Sequence, residues 1–352
     1  MRLGRSPSPV AVVSAQRVKP VTIRDVAREA DVSVASASRA LNGLDIVTDA
    51  TRHRVVTAAR RLRYVPDIGA RMLSTRRSDT IGVVLPDLYG EFFSEVIRGI
   101  DMAASARGLH LLVSNSHGDA EAAAAAIRSM RGRVDGLLLM SPHVDAHLLA
   151  DNLADDLPTV LLNTRVEGAG HAAFRVDNHG GAHAVVRHLV ETGRRRIAHI
   201  SGPGSNFEAQ ERRRGYEDAL EGAPAIILQG DFSEQAGHDA GVRIIGMNER
   251  PDAVFAANDM MAVGCLMAFA DAGLSVPGEI ALAGFDDIPI ARLVRPSLTT
   301  ARIRIAEMGV RALERLVASI EGGAASDVGT EVVRPELVVR ESTGLAAKRR
   351  GD

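Results

Sequence analysis

The chain has 352 residues, 46% of them hydrophobic and 24% charged, ordinary globular composition with enough length for two or three domains with substantial cores. Its formal net charge of −2 hides a segregation: residues 1–79 carry 15 Lys and Arg against 7 Asp and Glu, a net of +8, which leaves −10 on the remainder. The single cysteine, Cys265, excludes an intramolecular disulfide and fits a reducing cytoplasm.

The first twenty residues carry arginines and prolines but no sustained apolar core, so residues 1–20 read as a disordered extension rather than a cleaved leader. No apolar run along the chain is long enough to span a bilayer as a helix. From Val21 the pattern turns helical. Thr22 and Asp25 form a Thr-x-x-Asp start, with Ile23, Val26, Ala27 and Ala30 on one face. Ser33 and Ser36 open a second helix that places Ala37 and Leu41 on one face. Two helices joined only by Asp31-Val32 must cross, which is the form of a helix-turn-helix. Thr48 is placed to cap a third helix, lined by Val55, Ala58, Ala59 and Leu62. Residues 21–66 therefore form a small all-α head. Residues 67–79 form a linker in which Asp67–Ser74 could add one more short helix.

At Thr80 the period changes. The runs IGVVLPD, LHLLVSN, VDGLLLMSP, TVLLNT, RIAHISG, AIILQGD, DAVFAAND and IALAGFDD alternate with helical stretches, as in βαβ units with parallel sheets. A faint repeat relates the stretch beginning at Phe92 to the one beginning at Phe207, each with Arg-Gly-(Ile/Tyr)-acid in the helix after a strand. It implies two similar doubly wound halves, with a ligand site in the cleft at the carboxyl ends of their strands. Several features also have ordinary structural readings. The run Glu211–Arg214 reads as a solvated helix face, Phe92 and Phe93 as core, and Asp286-Asp287 as a strand-end cap. His179 and His183 stand four apart without an obvious third metal ligand, and Gly202-Pro-Gly204 is an incomplete phosphate fingerprint.

Taken together, TIRDVAREADVSVASASRALNG, VTDATRHRVVTAARRLRYVPDIGARML and TIGVVLPD, followed by VDNHGGAHAVVRHL, RIAHISGP, PDAVFAANDMMAVG, IALAGFDD and PSLTTARI, resemble the lactose-repressor (LacI/GalR) family of bacterial transcription regulators, in family order from about Val21 to about Gly344. The resemblance implies a helix-turn-helix head on a periplasmic-binding-protein-like α/β body of two doubly wound parallel-sheet lobes, residues 80–176 with 303–333 and residues 177–302 with 334–347. It also implies a homodimer on a pseudo-palindromic operator, regulated by a small-molecule effector.

In such a head the second helix enters the major groove, where Val34, Ala35 and Arg39 face base edges. Arg39 could donate a bidentate pair to guanine, worth about 1–3 kcal/mol of discrimination, while Val34 and Ala35 lean on thymine methyls. Thr22, Ser33, Ser36, Ser38, Asn42 and Thr48 are the accompanying DNA-contact candidates, capping being the equal alternative for Ser33. The resemblance places Arg71 and Leu73 in a hinge helix whose leucine wedges into the minor groove. Gly69 there costs about 0.5–1 kcal/mol relative to alanine, so the hinge is expected to order only on DNA.

Carried over by resemblance, the effector candidates are Phe92, Phe93, Asn163, Arg212, Phe232, Asn258 and Asp286. Phe232 stands where tryptophan is frequent and Asn163 where a carboxylate is, which weakens stacking and removes an acceptor. The set favours a sugar effector, with a purine or nucleoside corepressor as the alternative. A periplasmic-type sugar-binding protein and an enzyme are disfavoured by the basic head and by the absence of a recognisable Ser/His or Cys/His pairing. No catalytic residue, metal or cofactor is expected. The tail GLAAKRRGD lacks the heptads of an appended coiled coil.

Overall fold

The computed structural model describes residues 21–41, 46–65, 77–141, 146–153, 156–164, 170–322 and 329–344. Asn42, Arg71, Leu73, Gly69 and the hinge segment Asp67–Ser74 lie outside the described residues. The chain divides into two compact units, Met1–Arg77 and Ser78–Asp352.

The first unit contains α1 (Ile23–Glu29), α2 (Val34–Leu41) and α3 (Asp49–Arg61). Local chemistry sets each start. The Thr22 backbone N–H and hydroxyl both donate to Asp25 Oδ2, at 2.9 and 2.7 Å. Ser33 Oγ accepts from Ser36 N at 3.1 Å, and Thr48 Oγ1 accepts from Thr51 N at 3.4 Å. Helix α1 ends where Asp31 adopts a left-handed backbone (φ 51°), which turns the chain sharply into α2. The core is Val26, Ala27, Ala30, Ala37, Ala40, Val55, Ala58 and Ala59, with Leu41 and Leu62 only half-buried against it. Such small side chains let three helices approach closely but bury little area per residue.

The second unit contains twelve strands and eight helices among its described residues. They are β1 (Thr80–Leu85), α4 (Glu91–Ser105), β2 (His110–Asn115), α5 (Ala120–Met130), β3 (Gly136–Met140), α6 (Ala146–Asn152), β4 (Thr159–Leu162) and β5 (Ala172–Val176) in the first half. The second half has α7 (Asn178–Glu191), β6 (Ile197–Ser201), α8 (Phe207–Ala219), β7 (Ile226–Gln229), α9 (Glu234–Ile245), β8 (Ala253–Ala256), α10 (Asp259–Asp271), β9 (Ala281–Asp286) and β10 (Thr299–Arg302). The chain then returns to the first lobe through α11 (Ile305–Ile320) and β11 (Thr330–Val333), and to the second through β12 (Glu336–Val338).

The two sheets have the same order, β11-β5-β4-β3-β1-β2 and β12-β10-β9-β8-β6-β7. All pairings are parallel except that of β12 with β10. Central strands buried on both faces account for the continuous apolar runs: Ile81, Val83, Val84 and Leu85 are fully covered, as is the whole of β8. Four strands escaped the apolar-run signal. AAFRV (β5), TTAR (β10), TEVV (β11) and ELV (β12) are short and interrupted by polar residues, and they lie together on the same side of each sheet.

The repeat has a packing cause. A β-carbon on Gly99 would run into the backbone of Ala306 in α11, and one on Gly215 into the backbone of His179 in α7. The glycine of each Arg-Gly-(Ile/Tyr) motif thus lets α4 and α8 press against a neighbouring helix at backbone distance. Tyr216 then drops fully into the core, its hydroxyl donating to the carbonyl of Ile197 at 2.9 Å. Cys265 is fully buried, and burial pushes its thiol above the ordinary range, as for a small hydrophobe.

Candidate functional site

In the head, α2 presents Ser33, Val34, Ala35 and Arg39 to solvent while Ala37 and Ala40 face inward, a division fixed by the helical period. Val34 is 42% exposed. Arg39 has no hydrogen-bond or ion-pair partner among the described residues, whereas Arg28 and Arg61 pair with Asp25 and Glu29. An exposed, unneutralised guanidinium on an α2 that also exposes two small apolar side chains is suited to base-edge contact in a groove. Ser36 and Ser38 are half-buried. Thr22, Ser33 and Thr48 are committed to helix starts, leaving Thr22 and Thr48 exposed beside their caps.

In the body, a cavity of about 490 Å³ opens at the carboxyl ends of the strands, within the usual size of a small-molecule site. One wall comes from the loop after β1 and the start of α4, where Phe92 and Phe93 stand edge to face with ring centres 5.3 Å apart. The other comes from the ends of β6, β7, β8 and β9 and supplies Arg212, Phe232, Asn258 and Asp286. Six of the seven sequence candidates therefore meet. Asn163 does not line the cavity: at the end of β4 it takes a left-handed turn (φ 47°), and its backbone N–H is held by the Phe174 carbonyl. Its amide group is buried without a hydrogen-bond partner among the described residues.

The reading of Glu211–Arg214 as a solvated face needs correction at one position. Arg213 and Arg214 are exposed and pair with Glu217 and Glu211, but Arg212 falls on the inner stripe of α8 with Ala209, Tyr216 and Ala219 and is buried. Its guanidinium lies over the Phe285 ring, 3.9 Å from the ring centre. It donates to Asn178 Oδ1 at 2.8 Å and to the Ala257 carbonyl at 2.5 Å, and stands 3.2 Å from Asp286 Oδ1. These contacts fix its plane against the cavity wall.

Asp286 and Asp287 are separated by backbone geometry. Both have positive φ, 110° and 56°, at the end of β9. A non-glycine residue at 110° is costly, and such strain concentrates at ligand sites. Asp286 lines the cavity, while Asp287 accepts from Arg302 at 2.6 Å and Arg340 at 2.5 Å and so ties β9 to the outer strands. Burial pushes Asp286 up to about 7 against the pull of Arg212, with the neighbouring charge of Glu208 adding to the rise. Burial likewise raises Glu208, and Arg212 and Asn178 oppose it.

Asn258 caps α10 through Met261 N at 3.0 Å and donates to the Phe232 carbonyl at 2.9 Å. That bond holds Phe232 (φ 74°) with its ring against Gly202, where a β-carbon would collide with it. Phe92 and Phe93 are cavity-lining as well as packed against the core. His179 pairs with Asp218 and stacks on His183, and no group of three potential metal ligands occurs among the described residues.

Sequence reasoning missed Tyr89, Glu91, Asn206, Glu208 and Glu234 on the cavity wall. They share a legible signal: each follows a strand, in a loop or in the first turn of the next helix. Three of them take part in bonds that link the lobes. Tyr89 donates through its hydroxyl to Glu234 Oε1 at 3.0 Å, and Glu91 Oε2 accepts from Ile290 N at 3.1 Å.

The chain is similar to known proteins along nearly its whole length. Residues 22–67 match the model for bacterial regulatory proteins of the lacI family, and residues 186–343 that for a periplasmic binding protein-like domain. The HTH-type transcriptional regulator GalS of Salmonella typhimurium is 37% identical over 329 residues, covering 92% of this chain and 96% of its own length. Among solved structures, the lac repressor dimer bound to operator and the anti-inducer ONPF superposes with a TM-score of 0.83 at 29% identity, over 93% of this chain and all of its own. The transcriptional regulator CelR in complex with cellobiose does so with a TM-score of 0.67 at 30% identity, over 92% and 99%. The chain belongs to the lacI family of bacterial regulatory proteins: it is a DNA-binding transcriptional regulator with a helix-turn-helix head and a two-lobed effector-binding body.

Proposed function

We propose that this regulator acts as a homodimer that represses transcription by occupying a pseudo-palindromic operator, and that a sugar bound between the lobes controls its operator affinity. In this reading Arg39 reads a base edge, Val34 and Ala35 contact thymine methyls, and Thr22, Ser33, Ser36, Ser38, Asn42 and Thr48 contact or frame the phosphates. Arg71 and Leu73 belong to a hinge that orders on DNA. The lobes, residues 80–176 with 303–333 and residues 177–302 with 334–347, change their angle when the cavity fills. A ligand that weakens operator binding must itself bind less well to the operator-bound form. The chain works in the cytoplasm, where the DNA is, and is not an enzyme.

The observation that carries the effector reading is the cavity's two unlike walls. Phe92, Phe93 and Phe232 offer apolar faces for a ring, while Arg212, Asn258 and Asp286 offer hydrogen-bonding groups for its hydroxyls. Asn163 is retained as a second-rank candidate that would act from beside the cavity. The structure of CelR with cellobiose supports a sugar in such a body.

Two experiments test this. Titration of the chain's own promoter duplex at two salt concentrations should show tight, sequence-selective binding that weakens steeply with salt, and weak binding indifferent to sequence would contradict the operator role. A thermal-shift screen of sugars against purines and nucleosides should yield a sugar whose stabilisation disappears in Asp286→Ala. A nucleoside hit without a sugar hit would replace the sugar with the alternative effector.

A further inference from the structure

Six carboxylates line the cavity, those of Asp87, Glu91, Glu208, Asp231, Glu234 and Asp286, against one guanidinium, Arg212, and one imidazole, His117. Among the described residues Asp286 is the only one of the six in an ion pair. Four of the others are met by neutral donors alone. Asp87 takes the N–H groups of Leu88 and Tyr89, Asp231 the N–H and hydroxyl of Ser233, Glu91 the Ile290 N–H, and Glu234 the Tyr89 hydroxyl.

A second, independent observation comes from single atoms. Glu208 Oε1 and Glu234 Oε2 are shut off from solvent with no hydrogen-bond donor among the described residues, while Asp286, only 4% exposed, has Arg212 3.2 Å from its Oδ1. Buried carboxylate oxygens are costly unless donors and counter-charge reach them. Hydroxyl groups of a neutral sugar could supply donors but no charge. An ammonium supplies three N–H donors and, beside Arg212, a second cation for the six carboxylates. A phosphorylated or acidic sugar would place like charge against like in a site that concentrates negative potential.

We infer that the effector is an ammonium-bearing carbohydrate, an amino sugar, whose cationic nitrogen is received by the carboxylates of Glu208, Glu234 and Asp286 while its ring lies between Phe232 and the pair Phe92 and Phe93. The inference rests on the sugar reading above and narrows it to a charge class. Arg212 remains the donor to ring or hydroxyl oxygens, and the acids select the nitrogen.

The test is a binding and melting panel on the full chain. It contains glucosamine, galactosamine and mannosamine, their parent hexoses, their N-acetyl derivatives, the hexose 6-phosphates, 1,4-diaminobutane and a set of nucleosides. At least one amino hexose should bind at least about tenfold more tightly than both its parent and its N-acetyl form, with no response to the 6-phosphates. Glu208→Gln and Glu234→Gln, each checked for unchanged cooperative melting, should bring that preference to within about threefold. Equal or tighter binding of the parent hexose overturns the charge inference and leaves the sugar reading standing. A response to nucleosides alone overturns both. Stabilisation by 1,4-diaminobutane without any amino hexose, or no response to any amino hexose, overturns the proposal.

Discussion

The two compact units solve the same packing problem with different materials. Among the described residues the head holds three helices around six alanines and two valines, whereas the body buries Phe174, Phe255, Phe269, Phe285 and Tyr216 among leucines and isoleucines. Each fully buried large apolar side chain contributes about 1.5–3 kcal/mol and an alanine much less, so the head stands close to its stability limit while the body has reserve. Charge runs in parallel: the small-cored unit is basic and the large-cored unit acidic. A small head with a basic surface is adapted to be completed by a polyanion, and an acidic cavity in a stable body is adapted to hold something donor-rich.

The largest expected effect separates the units outright. Removing residues 1–77 should lower affinity for a selected operator by about 10³-fold or more, to the level of non-specific binding or below. The body should keep its melting transition and its response to effector. A truncated chain that still prefers the operator would erase the division of labour.

Arg212→Ala strikes only the body. It removes the buried hydrogen bonds to Asn178 and the Ala257 carbonyl and leaves Asp286 and Glu208, already raised by burial, to take up protons, at an expected cost of about 2–3 kcal/mol to the body's transition and none to the head's. Chemical denaturation with probes in each unit checks this, and a loss below about 1 kcal/mol would mean that Arg212 is not the electrostatic keystone assigned to it.

Val55→Ala strikes only the head. Val55 is fully buried, and its truncation should cost about 2 kcal/mol, on the order of 10 °C in the head's melting point for so small a unit. An unshifted head transition would show that its core is not the limiting element.

The smallest effect is a pH slope. Asp286 sits at about 7 when folded against an ordinary 3.8, so between those values the folded state holds a proton that the unfolded state has lost, and stability from this group falls as pH rises. Arg212, Glu208 and Asp259 face the same carboxylate, the last two raised by burial in the same sense. His199, fully buried and held near 4, contributes the opposite slope below its ordinary 6.5, which masks the effect in the wild-type profile. The difference between Asp286→Asn and wild type removes that mask. The variant's melting point should gain on the wild type's from about pH 5 to about pH 8, and a constant difference would contradict the assignment.

The legibility of the molecule followed the same division. Helix starts at Thr22, Ser33 and Thr48 were readable because a hydroxyl or carboxylate three residues from its partner is a local event. The doubly wound body was readable because buried parallel strands need unbroken apolar runs. Four strands were not, since three to five residues interrupted by Arg, Thr or Glu leave no unbroken apolar run. Arg212 was hidden among Arg213 and Arg214 by composition, yet its phase with Ala209 and Tyr216 marks it as inward-facing. Glu208 and Glu234 were missed because acids in the first turn of a helix are ordinary dipole partners, and only the closing of two lobes around them makes them a wall. The strain at Asp286 had no sequence signal beyond the paired acids.

Operator recognition requires α2 to be the surface that reads DNA. Selection from a randomised pool of duplexes, carried out in parallel with the full chain and with Arg39→Ala, tests that directly. The full chain should enrich a two-fold-related consensus containing guanine at a fixed position in each half. The variant should lose the preference at that position while keeping its melting profile. An identical consensus from both proteins would contradict it.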